Sequence, residues 1–95
     1  MTHITNNTIV AVAEDVVSCD LLEETAILNM KNSVYYGLDP VGTRIWNLIQ
    51  QPTTIQKILN IILEEYDVEP ERCQADLYEL IEQLIDNQLV EIKWL

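Results

Sequence analysis

The spacing of apolar residues divides the chain into an N-terminal part with a period of two and a longer C-terminal part with a period near 3.6. Two β-prone runs come first, TIVAVA from residue 8 and VVSCD from residue 16, and they can form one strand or two. A third run, TAILNM over residues 25–30, alternates two sets of side chains, as a strand with one better-buried face does. The N-terminal part is therefore predicted to form a small sheet.

A β-hairpin is predicted around the third run. Asn32, which tolerates a positive φ, separates TAILNM from a second β-prone run, SVYYGL over residues 33–38. In this second hairpin strand Tyr35 lies on one face, and the other face carries Val34, Tyr36 and Leu38.

Three amphipathic helices are predicted after the hairpin. The Asp39–Pro40 pair supplies an N-cap oxygen and a proline suited to the first helical position, so the first helix should run from there to about Gln50. Its buried side carries Val41, Ile45, Leu48 and Ile49. Gly42 costs about 1 kcal/mol relative to alanine inside a helix, which predicts the close approach of another backbone.

The remaining pattern completes the fold. Thr53 or Thr54 caps a second helix, and a third begins at Pro70 and runs to about Asn87. The run LVEIKWL closes the chain as a short strand or an extended tail. The order predicts an α+β fold of the winged-helix-like type, in which an N-terminal antiparallel sheet of two or three strands is followed by three helices.

Composition limits the partners. Sixteen Asp and Glu residues against five Lys and Arg give a net charge of −11, which argues against nucleic acid and against an anionic membrane surface. No apolar run is long enough to cross a bilayer and the N-terminus lacks the order of a secretory signal, so a cytoplasmic protein is expected. The length predicts one domain over residues 1–95, with residues 1–7 flexible.

Candidate catalytic and metal-binding residues are few. The single histidine, His3, lies in the segment expected to be flexible, which disfavours a catalytic triad or a Cys-His pair. Cys19 and Cys73 lack the short spacings of zinc sites, and a reducing compartment favours two free thiols. No glycine-rich phosphate loop occurs. The chain is therefore expected to have no catalytic residue, metal or cofactor and not to be an enzyme.

The third helix has a wider apolar face than one core contact requires, about 160° of arc against about 100°. The face carries Cys73, Leu77, Tyr78, Leu80, Ile81, Leu84 and Ile85. Either the C-terminal tail and the first helix cover it, or it leaves an apolar groove beside the second hairpin strand. Residues 33–38 lack the charges and prolines that usually protect a free strand edge, so this groove would accept an extended segment of another protein.

The acidic stretch EEYDVEPE, residues 64–71, also allows two interpretations. It can be a solvated helix end and loop that places acidic side chains in the first turn of the third helix, where the helix dipole stabilises them. The functional alternative is a patch that attracts a basic peptide.

In order and spacing, TAILNMKNSVYYGLDPVGTRIWNLI and TTIQKILNIILEEYDVEPERCQADLYELIEQLIDNQLVE resemble the PqqD-like family, the recognition elements for leader peptides of ribosomally made, modified precursors. The resemblance covers about residues 24–91. The hairpin strand, the YYGLDPVGTRIW junction and the EEYDVEPE break are most similar to the stand-alone members of lasso-peptide biosynthesis. Quinone-cofactor and thioether-peptide systems use the same module.

The resemblance implies a non-enzymatic adaptor that binds a precursor leader peptide by strand addition and presents it to a separate leader peptidase, with a cyclase as a further partner. The leader would lie antiparallel along residues 33–38, in the cleft between that strand and the third helix. The strand residues implied are Val34, Tyr35, Tyr36, Gly37 and Leu38. The helix residues implied are Leu77, Leu80, Ile81 and Leu84, with Tyr78 and Ile85 as second choices.

The residues leave one alternative of another class open. A winged-helix interaction or dimerisation module with no leader-binding role would contact a basic protein through its acidic surface, or self-associate through the same strand edge.

Overall fold

The structure of the protein, a computed structural model, describes residues 4–93. Its elements are β1 (Ile9–Val12), β2 (Val16–Leu21), β3 (Glu24–Asn29), β4 (Tyr35–Leu38), α1 (Pro40–Ile49), β5 (Thr53–Thr54), α2 (Ile55–Glu65), α3 (Pro70–Asp86) and β6 (Val90–Lys93). The predicted α+β, winged-helix-like class is confirmed: a three-stranded antiparallel sheet precedes three helices, and LVEIKWL contributes a strand.

The strands form two separate sheets. In the first sheet β3 lies between β2 and β4, and in the second β1 lies between β5 and β6. The runs TIVAVA and VVSCD are therefore two strands in different sheets, because β1 pairs with the C-terminal strand while β2 pairs with β3. This long-range pairing connects the two ends of the described chain.

The hairpin between β3 and β4 forms as predicted, with Leu28 opposite Tyr35 and Thr25 opposite Leu38. The residue with positive φ is Ser33, at 61°, and not Asn32. Asn32 instead accepts the backbone N–H of Val34 through its side-chain oxygen at 3.0 Å. Because this turn occupies residues 30–34, the second strand begins at Tyr35, two residues later than predicted.

The inner face of β3 carries Thr25, Ile27 and Asn29, all buried, whereas Leu28 and Met30 are 37% and 62% exposed. Two polar residues are thus buried while two larger apolar ones face outwards. The buried groups are paired: the Thr25 hydroxyl donates to Asp20 at 3.1 Å, and both polar atoms of the Asn29 side chain have partners. Burial of a polar group costs little when it is hydrogen-bonded, so hydrophobicity alone does not identify the inner face.

Asn29 joins the hairpin to the C-terminal end of α3. Its side-chain amide donates to the carbonyl of Gln88 at 2.7 Å, and its oxygen accepts the N–H groups of Lys31 at 2.9 Å and Asn32 at 3.3 Å. Its backbone N–H donates to Val34 at 2.9 Å. One buried side chain therefore fixes both the hairpin turn and its position on α3.

The N-caps of α1 and α2 are residues that the sequence predicted as caps. Asp39 caps α1 by accepting the N–H of Gly42 at 2.7 Å, and Thr54 caps α2 by accepting the N–H of Lys57 at 3.1 Å. Gly42 is closely approached, but by the side chains of Leu38 and Asp39 rather than by a backbone. Val41, predicted to be buried, is 38% exposed.

One core of buried residues joins the first sheet, β1, β6 and all three helices. Trp46 lies inside this core, while Trp94 and His3 lie outside the described residues. Of residues 1–7, expected to be flexible, residues 1–3 also lie outside. Asn6, however, donates to Gln56 at 2.8 Å and accepts from the Tyr78 hydroxyl, so residues 4–7 are attached to α2 and α3.

No helix within residues 4–93 combines the length and the apolar character that crossing a membrane requires.

Replacing the buried amide tests the connection between hairpin and α3. Asn29→Ala should lower the free energy of unfolding by about 2–3 kcal/mol, because it leaves the Gln88 carbonyl without its partner and removes the acceptor of two turn N–H groups. Asn47→Ala, at an exposed position of α1, should change it by less than about 0.5 kcal/mol. Urea denaturation of the two variants measures both effects, and equal stabilities would contradict this role for Asn29.

Candidate functional site: a free strand edge beside a cavity

β4 has one free edge, because within residues 4–93 it pairs only with β3. The Asn29 N–H bonds to the Val34 carbonyl, so in the register of this ladder Tyr36 and Leu38 exchange hydrogen bonds with β3. The backbone N–H and C=O groups of Tyr35 and Gly37 then point away from β3. Four backbone groups are available to an added strand.

The side chains of β4 alternate between the two faces of the sheet. Tyr35 is 67% exposed on the outer face, whereas Tyr36 and Leu38 point inwards, as the sequence predicted. A Cβ added to Gly37 would meet nothing within 4 Å. The outer face of the sheet is therefore open at Gly37.

A cavity of about 560 Å³ lies next to this edge. Its β4 side is formed by Tyr36, Gly37 and Leu38, and its deeper surface by Ile45 of α1 and Ile62 of α2. Its α3 side carries Cys73, Asp76, Leu77, Leu80 and Gln83. The cleft implied between the second hairpin strand and the third helix is thus present as a space large enough for side chains of a peptide.

The helix residues predicted for the cleft separate into two groups. Leu77 and Leu80 line the cavity, Leu77 deeply buried and Leu80 half-buried. Ile81 and Leu84 are fully buried in the core and do not line it, so their expected place on the cleft surface is corrected: they support the wall from behind. Val34 precedes β4 and also lies outside the lining.

The two second-choice residues also lie away from the cavity. Tyr78 bonds to Asn6, and Ile85 packs partly buried against the core. The wide apolar face of α3 is therefore shared among the core, the cavity and the N-terminal segment.

Several lining residues were missed by the sequence analysis. Val41 and Gly42 contribute from the first turn of α1, and Tyr66 and Val68 from the chain that follows α2. Val41 lies next to a predicted helix start and Val68 between two acidic residues in a predicted loop, so neither has a pattern that signals a site. Only the packing of α1 and α2 against the hairpin brings them together.

One hydrogen bond spans the cleft at one end. The Tyr36 hydroxyl donates to the side-chain oxygen of Gln83, which joins β4 to α3 directly. In sequence, Tyr36 is the first residue that lines the cavity and Gln83 is the last. The cavity therefore extends from this hydrogen bond along β4 towards Asp39 and along α3 towards Arg72.

An ion pair fixes the far side of the cavity. Arg44 of α1 bonds bidentately to Glu65 at the end of α2, at 2.8 and 2.7 Å. The hydrogen bond from Arg44 lowers the pKa of Glu65, and the same bond raises the pKa of Arg44. Because the carboxylate form is favoured in the folded protein, this contribution is present above the unfolded pKa of Glu65 and is lost as the pH falls through the folded value. The pair holds α1 next to Tyr66.

The other outer strand of this sheet, β2, also has a free edge, which the sequence did not predict. Within the described part of the chain β2 also pairs only with β3, and its residues Val17–Leu21 are exposed. None of them lines a cavity of appreciable apolar surface. Of the two outer strands of this sheet, β4 is the one that combines free backbone groups with the cavity of about 560 Å³.

Residues 4–93 contain no group of three or more His, Cys, Asp or Glu side chains placed to hold a metal ion. Both cysteines are free thiols, as expected.

Comparison with known protein families identifies the family of this chain. The sequence profile of the family described as "Coenzyme PQQ synthesis protein D (PqqD)" matches residues 24–90, which is well over half of the chain. The chain belongs to the PqqD family. The matched residues run from the start of β3 to the start of β6 and include both walls of the cavity. No curated protein matches the chain.

A solved structure is similar to this PqqD-family chain over most of its length. It is described as "TbiB1 in Complex with the TbiA(beta) Leader Peptide" and is 31% identical, with a TM-score of 0.80. The similarity covers 85% of this chain and 94% of TbiB1. TbiB1 thus shares the fold and binds a leader peptide.

The Cys73 thiol reports on the environment of the cavity. Burial, together with the nearby Asp76 carboxylate, raises the pKa of Cys73. Since the thiolate is the nucleophile, Cys73 in a Cys19→Ser variant should react with iodoacetamide at pH 8 more slowly in the folded protein than in urea. Mass spectrometry over time measures the two rates, and the folded rate should reach its plateau at a higher pH than the unfolded rate. Equal rates would show that the thiol is not in the cavity.

Proposed function

We propose that this PqqD-family protein is a non-enzymatic adaptor that binds the leader of a ribosomally made precursor peptide by adding it as a strand to β4. The observation that carries the proposal is the free edge at Tyr35 and Gly37, directly beside the cavity. An extended peptide on this edge gains backbone hydrogen bonds, and every second side chain points towards α3. TbiB1, whose fold is similar, was crystallised with a leader peptide, which supports this proposal.

The cavity is needed for useful affinity. Four backbone hydrogen bonds contribute at most about 6 kcal/mol together, less than the roughly 8 kcal/mol of a micromolar complex. One or two apolar side chains buried in the cavity add about 1.5–3 kcal/mol each, from which the ordering of a flexible peptide must be subtracted. The edge therefore sets the orientation of the leader and the cavity sets which leaders bind.

The proposed contacts follow from these positions. Tyr35 and Gly37 provide the backbone groups, and the leader side chains contact Tyr36, Leu38, Leu77 and Leu80. Ile81 and Leu84 act indirectly by holding α3 in place.

The pathway is proposed to be that of a lasso peptide, from the sequence resemblance. The adaptor presents the remainder of the precursor to a separate leader peptidase and has no catalytic group of its own. Genes next to this one should then encode a short precursor, a peptidase and a cyclase. Neighbours of another modified-peptide pathway would contradict the lasso assignment but not the binding of a leader.

Gly37 offers a matched pair of variants for the strand edge. Gly37→Pro removes an N–H that points away from β3 and places a ring on the free edge, so it should weaken leader binding at least about tenfold. Gly37→Ala keeps the N–H and places a methyl group in open space, so it should bind within about twofold of the parent. Fluorescence anisotropy of the labelled leader from the neighbouring precursor gene measures both, with circular dichroism to confirm folding.

A folded Gly37→Pro protein that binds this leader as well as Gly37→Ala does would contradict strand addition. If size-exclusion chromatography shows that the parent forms a dimer which the leader does not dissociate, the dimerisation alternative is favoured.

Leu80 tests the cavity wall. Leu80→Asp puts a charge where an apolar leader side chain should pack, and it should reduce affinity at least about tenfold. Ala75→Asp adds the same charge at an exposed position of the same helix outside the cavity, and it should have an effect of less than about threefold. The same anisotropy titration compares the two, and equal losses would mean that charge in general, not the cavity, determines binding.

A further inference from the structure

We propose that the leader bound by this protein carries a lysine or arginine in the N-terminal half of its bound segment, two or four residues before its apolar anchor. The inference rests on the proposed function, because it concerns the chemistry of the peptide in the same cleft. It assigns a positive charge to the bound peptide and gives the position of that charge relative to the apolar anchor.

The cavity is acidic at its rim and apolar inside. Asp39, Asp76 and Glu79 line it together with a single cation, Arg72. The inner surface is formed by Leu38, Ile45, Ile62 and Leu77, all buried. An occupant that fits both parts has an apolar side chain for the interior and a positive charge for the rim.

The rim carboxylates are not neutralised by the protein. Arg72 approaches Asp76 only to 3.9 Å, and the two side chains are 83% and 71% exposed, so this pair contributes little. Within residues 4–93 neither Asp39 nor Glu79 forms an ion pair, and Asp39 uses one oxygen to cap α1. Glu65, by contrast, is paired with Arg44.

The charge is concentrated at one end of the cleft. Tyr36 and Gln83 mark the other end, and both are uncharged. Asp39 and Asp76 both line the cavity, and each lies about 10 Å along its own element from the Tyr36–Gln83 hydrogen bond. Asp67 and Glu69, exposed on either side of the lining residue Val68, add negative charge there.

The direction in which the leader binds determines where in its sequence the positive charge lies. In the antiparallel direction that the family resemblance implies, the N-terminal part of the peptide lies beside Asp39 and Asp76 and its C-terminal part beside Tyr36 and Gln83. Alternate residues of a strand face the same side, so the cationic side chain lies two or four positions before an anchor that occupies the cavity. A peptide that carries the cation after the anchor would place it at the uncharged end.

A library of random twelve-residue peptides tests the inference without knowledge of the natural leader. Peptides are selected by messenger-RNA display on the immobilised parent protein, and those that bind a folded Gly37→Pro variant equally well are discarded. Among the remaining peptides, lysine and arginine should be enriched before the apolar anchor and not after it. Their affinity should also fall as sodium chloride is raised, because exposed charges are screened.

Two double variants, each of which removes two negative charges, distinguish the effect of carboxylates at the cavity from the effect of overall charge. Asp76→Asn with Glu79→Gln should weaken the selected basic peptides about three- to tenfold, as the loss of one or two exposed ion pairs does. Glu82→Gln with Asp86→Asn, on the same helix but outside the cavity, should leave binding within about twofold. Equal losses in the two double variants would overturn the inference.

The two remaining outcomes separate this inference from the proposed function. Edge-dependent peptides without enrichment of basic residues before the anchor would overturn the inference and leave strand addition intact. A selection that yields no peptide sensitive to Gly37→Pro would overturn both.

Discussion

The antiparallel register of β4 on β3 is the constraint on which the site depends. Because Leu28 lies opposite Tyr35, the backbone groups of Tyr36 and Leu38 bond to β3, while those of Tyr35 and Gly37 remain free. The same register turns Tyr36 and Leu38 towards α3. A shift by one residue would exchange both sets at once, so that Tyr35 and Gly37 would face α3 and Tyr36 and Leu38 would carry the free backbone groups. Edge and cavity are therefore two consequences of a single pairing.

Three features hold this register in place. Asn29 attaches the hairpin turn to the end of α3 through hydrogen bonds from both polar atoms of its buried side chain. Leu38 packs into the core and lies close to Gly42, where an added Cβ would approach the Leu38 side chain to 3.2 Å. The bond from Tyr36 to Gln83 then sets the distance between β4 and α3 at one end of the cleft. Contacts with α1 and α3 thus hold β4 in place, although within residues 4–93 no strand lies beside its free edge.

Local signals predicted much of this structure. The Asp39–Pro40 start of α1, the threonine cap of α2 and the hairpin all depend on residues close in sequence, and the structure confirms them. The pairing of β1 with β6 and the free edge of β2 depend on contacts between distant residues, so no local pattern contains them. On α3, Leu80 and Ile81 are equally apolar, and only the packing of three helices places one in the cavity and the other in the core. Family resemblance implied a cleft between β4 and α3, and the structure has a cavity there, whereas the binding role of its walls stays a prediction.

Strand addition at β4 is tested most directly by the exchange rates of individual backbone amides, measured by NMR with and without saturating leader peptide. A new strand takes up the free N–H groups of this edge, so exchange at Tyr35 and Gly37 should slow by at least about tenfold. Ser18 and Asp20, whose N–H groups point to the free edge of β2, should exchange as before. Unchanged exchange at Tyr35 and Gly37, or protection of the β2 edge in their place, would contradict the account.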